Sequence, residues 1–151
     1  MGKVSAAIDI PASPNEVWQS IGGFNSLPDW LSYIPKSELI EGGRVRHLTT
    51  IKGETIVERL EVFDNTARSY SYSILQAPFP VTGYLSTIRV TAAGDGKGSR
   101  VEWAANFNPH TGHSNEEASR IFKGIFEEGL QELASRFKPK DETRRRDDYS
   151  Q

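Results

Sequence analysis

The chain has 151 residues, with 18 Lys and Arg against 20 Asp and Glu, for a net charge of −2. That balance leaves no global basic field to hold a nucleic acid backbone, and the run Arg144-Arg145-Arg146 is offset by Asp141, Glu142, Asp147 and Asp148 beside it. With no cysteine, disulfides and thiolate chemistry are excluded, and a single domain of this length buries about 70% of its unfolded surface without staples.

No apolar run approaches the length of a membrane span. The opening Met1-Gly2-Lys3-Val4-Ser5-Ala6 lacks the apolar block of a signal peptide, and Ala6 stands where a myristoylation site wants Ser or Thr. A cytoplasmic protein that does not insert into membranes and does not bind nucleic acid is the expectation.

Residues 4–10 read as a first strand. Ser13, Pro14 and Glu16 form a capping box with proline at the first helical position, so a short helix should run from 14 to about 21, stopped by Gly22-Gly23. A second short helix is expected over 24–31, capped by Asn25 or Ser26 and interrupted by Pro28. Strands follow at 37–40, 44–51, 54–63, 69–75, 84–93 and 100–107. The turns between them are marked by Gly42-Gly43, Lys52-Gly53, Asp64-Asn65, the loop Ala77-Pro78-Phe79-Pro80 and Gly94-Asp95-Gly96-Lys97-Gly98.

The long stretch 114–137 is the most regular in the chain. Ala118, Ile121, Phe122, Ile125, Phe126, Leu130, Leu133 and Phe137 recur at the spacing of one helix face, with Ser114 as N-cap and Glu117 three residues on. Gly129 lies near the centre of that apolar arc, although glycine costs about 1 kcal/mol there relative to alanine. Either something other than protein fills the gap, or another backbone approaches closely. Residues 138–151 are charged and nearly without apolar side chains, and a disordered tail is expected there.

One strand, two short helices, six antiparallel strands and one long C-terminal helix make an α+β pattern. A curved seven-stranded sheet has one face to bury, and only one helix is long enough to cover it. A hollow between them is expected, of the about 300–1,000 Å³ usual for ligand pockets.

This order, with Pro11-Ala12-Ser13-Pro14-Asn15-Glu16-Val17-Trp18 after the first strand, resembles the START/Bet v 1-like (SRPBCC) superfamily. Within it, the chain looks like the bacterial polyketide cyclase/dehydrase and lipid-transport family. Further matching stretches are Gly43-Arg44-Val45-Arg46, Glu58-Arg59-Leu60-Glu61-Val62-Phe63-Asp64, Val101-Glu102-Trp103 and Gly129-Leu130-Gln131-Glu132-Leu133-Ala134. The resemblance implies a helix-grip fold and a ligand-binding domain over 1–137. The plant abscisic-acid receptors are similar through the same elements, and through them Glu58, Tyr84, Ser86, Glu102, Ile121, Ile125 and Gly129 fall on ligand-lining positions. Leu31 departs from that pattern, standing where those receptors carry a lysine for the ligand carboxylate. The gate loop of those receptors is also reduced here to the turn around Lys52-Gly53.

Strand alternation puts Ile56, Glu58, Leu60 and Val62 on one face and Val57, Arg59, Glu61 and Phe63 on the other. The first face is the more apolar and is assigned inward. Glu58 then sits among Leu, Ile and Tyr side chains with a raised pKa, or pairs with Arg46 on the next strand. Tyr70, Tyr72 and Ile74 share a face, as do Tyr84, Ser86 and Ile88. In the last strand, hydrophobicity turns Trp103, Ala105 and Phe107 inward, whereas the resemblance turns Glu102 and Asn106 inward. Leu48, Thr50, Leu60, Tyr70, Tyr72 and Asn106 complete the expected binding set.

The expected function is binding of a small hydrophobic or amphipathic molecule of lipid, aromatic or polyketide-like type. One alternative is a cyclase or dehydratase with Glu58 and Tyr72 as catalytic groups. A protein-interaction module is the other. No cofactor is implied. His110 and His113 lack a third metal-type ligand nearby, so no metal site is expected. A homodimer is compatible with the sequence, which specifies no oligomeric state.

Overall fold

The computed structural model describes residues 1–137; the expected tail over 138–151 lies outside them. In chain order the elements are β1 (Gly2–Ile10), α1 (Pro14–Ile21), α2 (Leu27–Trp30), β2 (Lys36–Ile40), a 3-10 turn (Glu41–Gly43), β3 (Val45–Thr49), β4 (Thr55–Asp64), β5 (Ser69–Gln76), β6 (Val81–Ala92), β7 (Ser99–Pro109) and α3 (Asn115–Ser135). The strands form one antiparallel sheet of order β1-β7-β6-β5-β4-β3-β2. The first strand closes against the last, from Gly2 opposite Phe107 to Ile10 opposite Ser99. The sheet grips α3, whose Ala118, Phe122, Phe126, Leu130 and Leu133 are buried in the common core. This is the helix-grip α+β fold.

Local chemistry explains the boundaries. At α1, Ser13 Oγ accepts from the Glu16 backbone N–H at 3.2 Å, while Glu16 Oε1 accepts from the Ser13 N–H at 3.3 Å. Val17, Trp18 and Ile21 then bury one face. The second helix is a single turn, much shorter than the expected 24–31. Ser26 makes no side-chain cap bond, and the Phe24 carbonyl accepts from Arg46 Nη1 at 2.8 Å instead of starting a helix. At α3, Ser114 Oγ accepts from the Glu117 N–H at 3.0 Å. Among the described residues, no helix is long and apolar enough to cross a membrane.

A register shift between Leu60 and Val62 changes the inward set of β4. Ile56 and Glu58 are buried as alternation requires, but beyond the bulge Phe63 stands opposite Tyr70 with its ring 5.8 Å from Trp18, although it stays 48% exposed at the sheet's end. Val62, expected inward, is 57% exposed. On β7 the residues' own hydrophobicity decides the face: Trp103, Ala105 and Phe107 are buried, whereas Glu102 and Asn106 are exposed.

Candidate functional site

Arg46 on β3 stands directly opposite Glu58 on β4. Arg46 Nε donates to Glu58 Oε1 at 2.8 Å. Nη2 also lies 2.8 Å from that oxygen but off the line of its N–H bonds, so it makes an ion-pair contact and no hydrogen bond. Nη1 donates to the Phe24 carbonyl at 2.8 Å and to the Tyr70 hydroxyl at 3.3 Å. The guanidinium carbon sits 4.2 Å from the Phe24 ring centroid and 4.8 Å from that of Tyr72, which is cation–π geometry. Burial opposes the charge on Arg46, but Tyr70, Glu58 and Tyr72 outweigh it and the guanidinium stays ionised. Burial also pushes the Glu58 carboxyl above its usual range; Arg46 pulls it back without cancelling the shift.

Beside Glu58 lies a polar knot. Trp103 Nε1–H is shared between the Tyr72 hydroxyl at 3.0 Å and Ser86 Oγ at 3.1 Å. Ser86 in turn donates to the Ala104 carbonyl at 2.9 Å. Burial raises the hydroxyl pKa of both Tyr72 and Tyr84, so both are neutral donors at ordinary pH.

One space meets this cluster, and a second lies outside it. The inner one is a cavity of about 40 Å³ between sheet and α3. Its polar wall is Glu58, Tyr72 and Tyr84; its apolar wall includes Leu48, Phe122 and Phe126. It has room for about two or three waters. The outer one is an open cleft of about 410 Å³ bounded by Ser32, Lys52, Glu54, Pro78, Ile121 and Glu128, among others. Leu31, Tyr33, Phe79 and Ile125 line both and form the partition between them. The hollow expected to span 300 Å³ or more is therefore mostly filled by the protein's own aromatics. Phe79 packs on Phe122 at 5.0 Å, Tyr84 on Phe122 at 4.8 Å, and Trp103 stacks on Phe126 at 4.3 Å.

Gly129 is not a gap. A Cβ placed there would lie 2.7 Å from Leu31 Cδ1 and 3.1 Å from Trp103 Cζ3. What approaches is not a backbone but two side chains. The expected set is thus divided. Leu48, Glu58, Tyr72, Tyr84 and Ile125 line the inner cavity, while Ile121 and Gly129 line only the outer cleft. Tyr70 is buried against Phe24 and Trp18, Leu60 is half-buried at the core's edge, and Ser86 holds Trp103. Thr50 Oγ1 accepts from the Lys52 and Glu54 N–H groups at 3.2 and 3.1 Å, so it builds the turn. Glu102 and Asn106 are corrected: both face away from the site, because Trp103 and Phe107 claim the core side of β7. Tyr33, Ile34 and Leu27 line the cavity without having been expected there. Leu27 opens the single turn of α2, and Tyr33 and Ile34 follow it in irregular chain, where no periodicity marks a face.

A grip of sheet on helix, with a buried acid and tyrosines at its centre, defines the general class. The chain belongs to the polyketide cyclase/dehydrase and lipid transport family, whose model matches residues 1–138. The structure of the protein XoxI from Bacillus cereus is 54% identical, with a TM-score of 0.88 over 91% of this chain and 96% of that one. A protein from Bacillus thuringiensis is 53% identical, with a TM-score of 0.87 over 90% of this chain and 98% of that one. A solution structure from Thermobifida fusca is 27% identical, with a TM-score of 0.78 over 91% and 93% of the two chains. No curated protein matches the sequence.

Proposed function

We propose that this protein binds a small amphipathic molecule, its apolar body in the outer cleft and its polar end directed at Glu58. The observation that carries this reading is the shared partition: Leu31, Tyr33, Phe79 and Ile125 border both the cleft of about 410 Å³ and the cavity that contains Glu58. The cleft alone lies within the size range of ligand sites, whereas the cavity alone does not. Phe79 sits in the loop between β5 and β6, and a rotation of its ring would join the two spaces. A neutral reporter such as N-phenylnaphthylamine should bind with enhanced fluorescence. Ile125→Trp, which thickens the partition, should weaken it by about tenfold or more. Unchanged affinity in that variant would place the ligand elsewhere.

Two further readings have an observation behind them. Glu58 combines a raised pKa with a position on the cavity wall beside Tyr72, as an acid/base catalyst requires. Turnover lost in Glu58→Gln with binding retained would favour a cyclase or dehydratase. Leu75 and Leu85 are exposed on the outer face of the sheet, which a protein-interaction module would use. That role predicts that Leu85→Lys abolishes partner capture while leaving reporter binding intact.

A further inference from the structure

From solvent to the cavity floor, the path into this site carries charge of predominantly one sign. The outer cleft is bordered by Glu54, Glu128 and Glu132 against a single Lys52. Glu132 is partly engaged, accepting from the Ser32 N–H at 3.1 Å. Among the described residues, Glu58 is the only charged side chain on the inner cavity. It is 6% exposed. Its Oε1 is occupied by Arg46, and Oε2 accepts no hydrogen bond from any described residue. The cation that balances Glu58 does not line the cavity: Arg46 lies behind it, its side chain fully buried and directed at Glu58, the Phe24 carbonyl and Tyr70.

The chemistry this leaves for a ligand is specific. An entering carboxylate would meet a carboxylate in a poorly solvated space, where like charges repel more strongly than in water. The Tyr72 hydroxyl already accepts from Trp103, so Glu58 Oε2 is the charged acceptor left open on the wall, with Tyr33 and Tyr84 the other hydroxyl-bearing residues of the lining. A group that donates a hydrogen bond satisfies that oxygen; a group that only accepts leaves it unpaired. Given the ligand-binding function proposed above, on which this rests, the geometry points to a ligand that donates to Glu58 Oε2 from a hydroxyl or amine group and carries no carboxylate. Fatty acids and other carboxylate-headed amphiphiles are selected against.

Four probes that share a naphthalene body test this: naphthylethanol, naphthylethylammonium, naphthylacetate and ethylnaphthalene, titrated calorimetrically against the full chain. The alcohol and the ammonium should bind, with the acetate and the hydrocarbon each at least about tenfold weaker. In Glu58→Gln the penalty on the acetate should shrink to within about threefold. Glu128→Lys, on the exposed rim and outside the core, should by itself strengthen acetate binding about threefold, an effect lost at high salt. Acetate binding as tightly as the alcohol overturns the proposed selectivity while sustaining a ligand site, and so does ethylnaphthalene matching the alcohol. Binding of none of the four overturns the ligand-binding function itself, and this inference with it.

Discussion

At the level of single residues, Arg46 and Glu58 form the buried ion pair of the interior. A buried pair contributes little net stability compared with apolar replacements, but removing one partner strands the other. Arg46→Met should cost about 3–5 kcal/mol, because Glu58 loses its counterion and the Phe24 carbonyl its donor. Adding Glu58→Leu should recover most of that loss, as read from urea midpoints across the double-mutant cycle. The pH dependence has a definite sign. Burial lifts Glu58 above its ordinary 4.5, so the folded state holds this proton more tightly than the unfolded chain does. Its contribution to stability is complete below the ordinary value and is lost as pH rises through the folded one. Glu58→Gln should lack that decline, and identical pH profiles for the two proteins would remove Glu58 as the titrating group. The pairing of Arg46 with Glu58 was legible as one of two readings of the sequence. What pattern could not supply is that pairing and a raised carboxyl coexist.

Within α3, two glycines on different faces of the helix, about 140° apart, have opposite consequences. Nothing lies within 4 Å of a Cβ built on Gly124, whereas one on Gly129 would collide with Leu31. Gly124→Ala should therefore stabilise by about 1 kcal/mol through helix propensity. Gly129→Ala should destabilise by about 1–2 kcal/mol despite the same gain, because Trp103 is wedged between Trp30 and Phe126 and cannot move aside. Thermal melts of the two variants check both signs. Elements were legible where the signal was local. The Ser13 capping box fixed the start of α1, and the apolar arc of residues 118–133 marked α3. The face of β7 stayed open in the sequence, with hydrophobicity favouring Trp103, Ala105 and Phe107 and the resemblance favouring Glu102; the structure buries the first set. That Phe63 and not Val62 turns toward Trp18 was not legible, because a bulge reverses alternation without altering composition.

For the molecule as a whole, element order was enough for the fold and insufficient for the interior. Cavity volume is the small remainder after Phe79, Tyr84, Trp103, Phe122 and Phe126 have been packed, and tenths of an ångström in their placement decide it. Sequence pattern contains no such information. Phe79 carries the largest consequence at this scale. Phe79→Ala should merge cavity and cleft, raising neutral-reporter affinity severalfold while lowering stability by about 3 kcal/mol or less, since the ring is only partly buried. Weaker reporter binding in that variant would mean that Phe79 contacts the bound molecule and does not obstruct it.

The three tryptophans occupy non-equivalent surroundings. Trp103 lines the cavity and shares its indole proton with Tyr72 and Ser86; Trp18 donates instead to Asn65, at 2.7 Å, and lines neither space. Intrinsic emission thus comes with an internal reference. Occupation of the interior should quench or shift the Trp103 component and leave the Trp18 component unmoved, so the wild-type chain would report filling of the chamber with no added label, and a Trp18→Phe variant should keep that response while losing the constant component.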